Sequence, residues 1–261
     1  MRNFTLNAAA NLLRSGIRVR LSSLPPLLTA LFLLGPSATG QQVNSCPKGF
    51  HTVYSRRATT LDGAYTRPVR VNSPDGTKEL SVITAEDPRA SEGLSVKYTV
   101  RVGDSTFEAV LPGFNGEVAW SPDSKAFAVN QTEGGGGIGH RVYVFYVDNS
   151  GMRRLDVSPP IETDFGNPVQ CDVPVAPNTA FVAWRHDSST LLVAAEVIPV
   201  SFCKCQGTYR VYEMKLPRLK IVKTYSQLEA KKKFWNELGC ELRDADDSCV
   251  QALERKSRHL K

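Results

Sequence analysis

The sequence predicts an all-β chain made of repeated four-stranded antiparallel units, followed by a helical hairpin at the C-terminus. Residues 97–102 alternate, with Tyr98, Val100 and Val102 on one face and polar or charged residues on the other. Residues 141–147 are apolar on both faces, which is typical of a strand packed between two layers. A recurring turn divides these strands into units, and helix signals begin only after Thr224.

The first forty residues have the pattern of a secretory signal. Arg2, Arg14, Arg18 and Arg20 precede an apolar run at residues 24–34, small residues follow at 38–40, and no acidic residue occurs in the segment. The run is shorter than the roughly 20 residues that span a bilayer. We therefore expect cleavage near Gly40, no stable membrane span afterwards, and a periplasmic or extracellular protein.

Cleavage also changes the charge of the chain. The precursor has 32 basic and 26 acidic residues, and loss of four arginines leaves 28 against 26, a net charge of +2. A nearly neutral chain argues against a nucleic-acid partner. The late lysines are explained by a solvated face as well as by a partner; they are Lys215, Lys220, Lys223, Lys231, Lys232 and Lys233.

Six cysteines remain after cleavage, and an even number in an oxidising compartment indicates disulfides. They are Cys46, Cys171, Cys203, Cys205, Cys240 and Cys249. We expect Cys240 to pair with Cys249, because each lies at the edge of a predicted helix. Cys203 and Cys205 are too close to bridge each other, so each pairs elsewhere, and Cys171 is one candidate.

A zinc site at Cys203 and Cys205 is the alternative to disulfides. Structural zinc ligands are separated by two to four residues and are followed by a second pair. Here one residue intervenes and no histidine is near, so disulfides are favoured. Acylation of Cys46 is a minor alternative.

A Pro-Asp turn flanked by strands occurs at Pro74-Asp75 and again at Pro122-Asp123, with a weaker copy at Asp187. Proline fixes φ at the second turn position, and aspartate can accept a bond from its own backbone two residues on. The aspartates are 48 and then 64 residues apart, which suits four-stranded units. We interpret these aspartates as turn formers and not as a calcium-binding ring.

Residues 120–129 and 143–155 together resemble one blade of the TolB-type β-propeller repeat. The resemblance extends over about residues 65–225, and it implies an exported binding or scaffolding propeller, or a propeller domain fused to a peptidase. The expected fold is a propeller-like array of three blades, or four if residues 50–60 supply a degenerate one. Closed propellers have four to eight blades, so three blades would leave the array open or completed by another chain.

The predicted boundaries are a signal peptide at 1–40, an N-terminal extension at 41–64, the repeats at 65–225 and a helical hairpin at 226–261. Ser226 and Glu229 form a capping box that starts the first helix. That helix is expected to run to Leu238, with Leu228, Trp235 and Leu238 on one stripe and Gly239 at its end.

The sequence offers no catalytic, cofactor-binding or metal-binding constellation. Ser95 and Ser105 lack the glycine that closes a nucleophile elbow. A glycine run between two predicted strands lacks the Lys-Ser/Thr of a phosphate loop and has no helix after it; its first members are Gly134, Gly135, Gly136 and Gly137. We interpret it as a flexible loop, and as the loop to examine first if the repeats bind a ligand.

The leading hypothesis is a non-catalytic exported protein that binds a protein or cell-envelope partner. The alternative is a small secreted enzyme or inhibitor with an unrecognised site around Cys203, Cys205 and the glycine loop. A third alternative is a structural homo-oligomer that completes its sheet with a second copy.

Overall fold

The computed structural model describes residues 53–90, 93–132, 139–166, 171–172, 175–200 and 202–258. These residues form three antiparallel sheets and a C-terminal group of short helices, which confirms the predicted all-β array of four-stranded units. The signal segment, Cys46 and the glycine run Gly134 to Gly137 lie outside the described residues. Within the described ranges, no helix is long and apolar enough to cross a membrane.

The first sheet has the order β2-β3-β4-β5. Its strands are β2 (Val69–Asn72), β3 (Lys78–Glu86), β4 (Leu94–Val102) and β5 (Ser105–Pro112). Val96, Tyr98 and Val100 of β4 are fully buried, whereas Lys97 and Arg101 lie on the other face. The predicted alternation in this strand therefore separates a core face from a solvent face.

The second sheet has five strands in the order β1-β6-β7-β8-β9. They are β1 (Thr59–Thr60), β6 (Phe114–Trp120), β7 (Ala126–Thr132), β8 (His140–Asp148) and β9 (Gly151–Asp156). Val142, Val144 and Phe145 of β8 are buried, because the first sheet packs on one face of this sheet and the third sheet on the other. Thr59 and Thr60 extend this sheet, so they do not begin a fourth one.

The third sheet has the order β10-β11-β12-β13. Its strands are β10 (Asn178–Trp184), β11 (Thr190–Glu196), β12 (Tyr209–Lys215) and β13 (Lys220–Ser226). The helix α1 (Ser158–Phe165), which was not predicted from the sequence, lies between the second and third sheets in the chain. Its first turn contains Pro159 and Pro160, where a missing N–H costs nothing.

The same contact joins neighbouring sheets twice. Trp120 Nε1 donates to the carbonyl of Val71 at 3.1 Å, and Trp184 Nε1 donates to the carbonyl of Ala119 at 3.0 Å. Two serines in the turns form further hydrogen bonds between the same sheets. Ser124 Oγ accepts from the amide of Asp75, and Ser188 Oγ accepts from the amide of Asp123, both at 3.1 Å.

These two serines have positive φ angles of 60° and 52°, while the first turn has Gly76 at φ 71°. A serine in the left-handed region is strained relative to glycine. The inter-sheet hydrogen bond explains why the second and third turns carry serine. Among the described residues no sheet precedes the first turn, and glycine is sufficient there.

The C-terminal helices are α2 (Gln227–Phe234), α3 (Cys240–Asp244) and α4 (Ser248–Arg258). The predicted capping box is present, since Ser226 Oγ accepts from the amide of Glu229 and the Glu229 carboxylate accepts from the amide of Ser226. The predicted stripe is wrong at Trp235, which is 49% exposed. The helix ends at Phe234, four residues before the predicted end at Leu238, and its buried side consists of Gln227, Ala230 and Phe234.

Residues 53–65, which we call the N-terminal strap, connect the helices to the first two sheets. The amide of Gly239 donates to the carbonyl of Tyr54 at 2.8 Å, and Thr59 and Thr60 pair with β6. Leu61 and Ala64 then enter the core between the first and second sheets. Because β1 occupies the free edge of β6, the strap covers a strand edge that would otherwise be open.

Candidate functional site

A cluster of polar side chains lies at the end of the second and third sheets opposite the Pro-Asp turns. Each member is at most 7% exposed, although the strands that carry it are mostly apolar. We call this set the buried polar cluster; its members are Tyr54, Glu117, Asn130, His140, Asn178 and Glu196. Buried polar groups are costly unless they are hydrogen-bonded, so their partners decide what the cluster does.

Glu117 and Asn130 join three parts of the fold. The Glu117 carboxylate accepts from the amides of Tyr54 at 3.0 Å and Ser55 at 3.1 Å. Asn130 Nδ2 donates to Glu117 at 2.7 Å, and Asn130 Oδ1 accepts from the amide of Phe181. One continuous set of hydrogen bonds therefore links the strap, β6, β7 and β10.

Glu196 ends β11 beside the strap. The Tyr54 hydroxyl donates to Glu196 Oε2 at 2.9 Å, and the Asn178 side chain also hydrogen-bonds to this carboxyl group. Burial raises the pKa of Glu196 to about 7, and the negative charge of Glu241 acts in the same direction. Glu196 is therefore partly protonated near neutral pH.

His140 begins β8, and its ring contacts Tyr54 edge-on at a centroid distance of 5.4 Å. Burial lowers the pKa of His140 to about 4, and its Nε2 has no hydrogen-bond partner among the described residues. Near neutral pH the cluster thus holds an uncharged base, His140, and a partly protonated acid, Glu196. Both groups are almost inaccessible to solvent, so this arrangement suits a joint between elements better than a site for substrate.

Two disulfides meet at residues 203 and 205 on the loop after β11. Cys203 pairs with Cys171, the candidate that the sequence suggested, while Cys205 pairs with Cys249. The predicted Cys240–Cys249 pair is therefore wrong. Cys240 is also disulfide-bonded, and it lies buried beside the strap, because the amides on either side of it donate to Tyr54 and Val53. Cys249 instead opens α4 next to the loop.

The loop formed by residues 197–200 and 202–208, which we call the disulfide-held loop, is also held by internal hydrogen bonds. The amide of Cys203 donates to Val200, and Gln206 Nε2 donates to the carbonyls of Val200 and Cys203. Phe202 nevertheless leaves 38% of its surface exposed. The sulfurs of Cys203 and Cys205 are consumed in disulfides, so neither residue is a free thiol nucleophile or a metal ligand.

Each of the three repeat aspartates hydrogen-bonds within its own turn, and Asp187 also forms an ion pair with Lys215 of β12. Oδ1 of Asp75, Asp123 and Asp187 accepts from the amide two residues on, at 2.9 to 3.2 Å. Pro74 and Pro122 precede the first two aspartates in their turns. Within the part of the chain that the structure describes, no three His, Cys, Asp or Glu side chains are grouped to hold a metal ion.

Sequence reasoning did not single out Glu117 or Glu196. The available signal was a carboxylate inside an apolar run, as in residues 191–198, where Glu196 is the one polar residue. Such a residue is either paired or uncharged when buried. Its partner Tyr54 is distant in sequence, so the contact could not be found from spacing.

No protein-family model matches the chain, and no curated protein matches it. Among solved structures, the chain is similar to Pyrococcus horikoshii acylaminoacyl peptidase, with 10% sequence identity and a TM-score of 0.34. The match covers 57% of this chain and 23% of the peptidase, so the chain spans less than a quarter of that protein. A likeness this distant carries no inference about fold or activity.

Proposed function

We propose that this chain is an exported, non-catalytic protein whose propeller-like sheets present loops to a protein or cell-envelope partner. The observation that carries the proposal is the disulfide-held loop, which keeps the exposed aromatic side chain of Phe202 on a fixed backbone. Exposed aromatic residues on rigid elements are the groups that most often dominate protein interfaces.

The expected export to an oxidising compartment supports the same proposal. Disulfides persist in oxidising environments, and the first forty residues have the order of basic, apolar and small residues that directs export. The resemblance of residues 65–225 to TolB-type repeats favours binding or scaffolding as the role, because that family includes exported binding propellers.

The enzyme alternative finds no free thiol at the two cysteines around which it was framed. Cys203 and Cys205 are disulfide-bonded, and the acid and base of the buried polar cluster are at most 7% exposed. A substrate would have to displace the strap to reach Glu196 or His140. Binding through an exposed loop needs no such rearrangement.

The test uses the chain from residue 41 onward, immobilised and incubated with a cell-envelope extract from the source organism. The retained partner is then purified and its Kd for the chain is measured. Phe202→Ser should weaken this binding at least about tenfold, as expected for loss of an aromatic anchor. Trp235→Ser is the matched control, since it removes an exposed aromatic far along the chain, and it should leave the Kd unchanged.

Two results would overturn the proposal. One is equal binding by the Phe202→Ser and unaltered chains. The other is a reproducible hydrolytic activity of the purified chain that a single substitution in the buried polar cluster abolishes.

A further inference from the structure

Four exposed lysines, none of which has an ion pair with a described residue, belong to the edge strand of the third sheet and to the helix that follows it in the chain. Lys220 and Lys223 belong to the edge strand β13, Lys232 and Lys233 belong to α2, and all four are exposed. We call them the basic edge. No carboxylate of the described residues lies within ion-pair distance of any of them, whereas neighbouring Lys231 pairs with Asp247 at 2.8 Å.

Two of these ammonium groups converge on a single ring. Lys223 Nζ lies 4.9 Å from the centroid of Tyr225, and Lys233 Nζ lies 4.6 Å from it. Lys233 Nζ also donates to the Tyr225 hydroxyl at 2.8 Å. Cation–π contacts and this hydrogen bond hold both positive charges beside Tyr225, and an anion bound next to them would offset their repulsion.

The nearby carboxylates are already engaged. Glu213 accepts from the Tyr225 hydroxyl at 2.8 Å, and Glu229 is bound in the capping box at Ser226. They place two negative charges beside the basic edge. Val222, which is 47% exposed, lies between Lys220 and Lys223 in the strand.

We infer that the basic edge binds an acidic segment of a protein partner. One extended acidic segment can place its carboxylates at Lys223 and Lys233 and an apolar side chain over the exposed Val222. A membrane surface or a nucleic acid would present a broad or dense field of negative charge, and Glu213 and Glu229 would then face like charge. This surface is separate from the Phe202 loop, so the inference does not depend on the proposed function.

The probe is a fluorescently labelled peptide of alternating glutamate and serine, with a glutamine and serine peptide as its uncharged counterpart. Anisotropy with the chain from residue 41 onward should show binding of the glutamate peptide, which weakens as salt is raised. The double variant Lys223→Gln/Lys233→Gln should raise the Kd at least about tenfold, as expected for loss of two close charge contacts. Phe202→Ser should have no effect on this Kd.

The matched control is Lys97→Gln/Arg101→Gln, which removes two strand cations that already have carboxylate partners on the first sheet. It should leave the Kd unchanged. Lys223→Arg/Lys233→Arg preserves the charge and should bind within about threefold of the unaltered chain. Circular dichroism establishes that each variant is folded.

The inference is wrong if the glutamate peptide does not bind, or if the glutamine peptide binds equally well. It is also wrong if the arginine variant loses binding while folded, because charge would then not be the determinant. Tighter binding to vesicles of phosphatidylserine and phosphatidylcholine, or to a single-stranded oligonucleotide, would assign the surface to a different class of partner and overturn the inference.

Discussion

The two ends of the array of sheets are finished in different ways. Among the described residues nothing covers the outer face of the first sheet, where Lys97 is paired to Glu108 at 2.7 Å and Arg101 to Glu79 at 3.9 Å beside the exposed Val110. The outer face of the third sheet is apolar and covered by helices, since Ala183, Leu192 and Val211 pack in one cluster with Phe234, Leu238 and Leu242. A stack of sheets needs a cap at each end, and this chain uses polar residues at one end and helices at the other.

The tryptophan and serine hydrogen bonds between neighbouring sheets also have a direction along the array. In each of them the side chain belongs to the later sheet and the backbone group to the earlier one. The first copy of the repeat has Asn72 where the later copies have the tryptophan donor. It has Gly76 where they have the serine acceptor. Among the described residues, these two positions of the first sheet therefore make no contact of this kind with another sheet. At the other end α2 lies on the face where a further sheet would pack, and Arg185 of the third copy stacks on Phe234 at 5.8 Å.

The capped end should depend most on Phe234. This side chain is 1% exposed and contacts Tyr225 edge-on at 4.9 Å. Phe234→Ala should lower the free energy of unfolding by about 3–5 kcal/mol because it leaves a large cavity. Trp235→Ala, at the adjacent exposed position, should cost less than about 1 kcal/mol. Urea unfolding of both variants measures the difference, and equal losses would mean that the helices do not cap the sheet.

Gly239 should be the next most sensitive position. A Cβ there would overlap the carbonyl oxygen of Val53 and lie 2.6 Å from the backbone of Tyr54, so the strap would have to move. Gly239→Ala should therefore cost about 3 kcal/mol through overpacking. Gly103→Ala in the first sheet meets no atom within 4 Å, and its φ of +57° should limit the cost to about 1 kcal/mol. Similar losses for both variants would contradict a tight junction between strap and helices.

The joint between strap and sheets should respond to pH through two opposing groups. Glu196 keeps its proton in the fold up to about pH 7, so its contribution to stability is full below its ordinary pKa of 4.5 and is lost as pH rises. His140 has its folded pKa lowered from 6.5 to about 4, so its contribution is full above 6.5 and is lost as pH falls. Between pH 4.5 and 6.5 the two effects should nearly cancel.

Replacing Glu196 or His140 alone should remove this cancellation of the two pH effects. In Glu196→Gln the free energy of unfolding should rise by about 2 kcal/mol from pH 4.5 to 6.5, and in His140→Gln it should fall by about the same amount. Urea unfolding across this range gives the slopes directly. The slope, and not the absolute stability, is the test, so a general loss from either substitution does not obscure it. Parallel slopes in the two variants would contradict the assignment.

Local signals predicted the local parts of this architecture. The alternation around Tyr98 predicted a half-buried strand, and the pair Ser226 and Glu229 predicted the start of α2, because both depend on neighbours in sequence. The start of α1 was missed although Pro159 and Pro160 are suited to a first helical turn. Its eight residues lie in a segment otherwise dominated by strand and turn signals.

Contacts between distant residues could not be predicted in this way. Cys249 pairs with Cys205 across 44 residues, and Tyr54 reaches Glu196 across 142. Trp235 was expected inside because a helix running to Leu238 would place it on the apolar stripe. The end of α2 at Phe234 is set by the packing of the strap at Gly239, which no local pattern records.

The smallest effect should come from the bare end of the array. Lys97 and Glu108 are 42% and 51% exposed, so solvent screens their attraction. A double-mutant cycle with Lys97→Ala and Glu108→Ala should give a coupling of about 0.5 kcal/mol that declines as salt is raised. Cross-strand ion pairs of this size stabilise a solvent-exposed sheet face only weakly. A coupling of several kcal/mol, or one insensitive to salt, would mean that this face is covered in solution, and the contrast between the two ends would then fail.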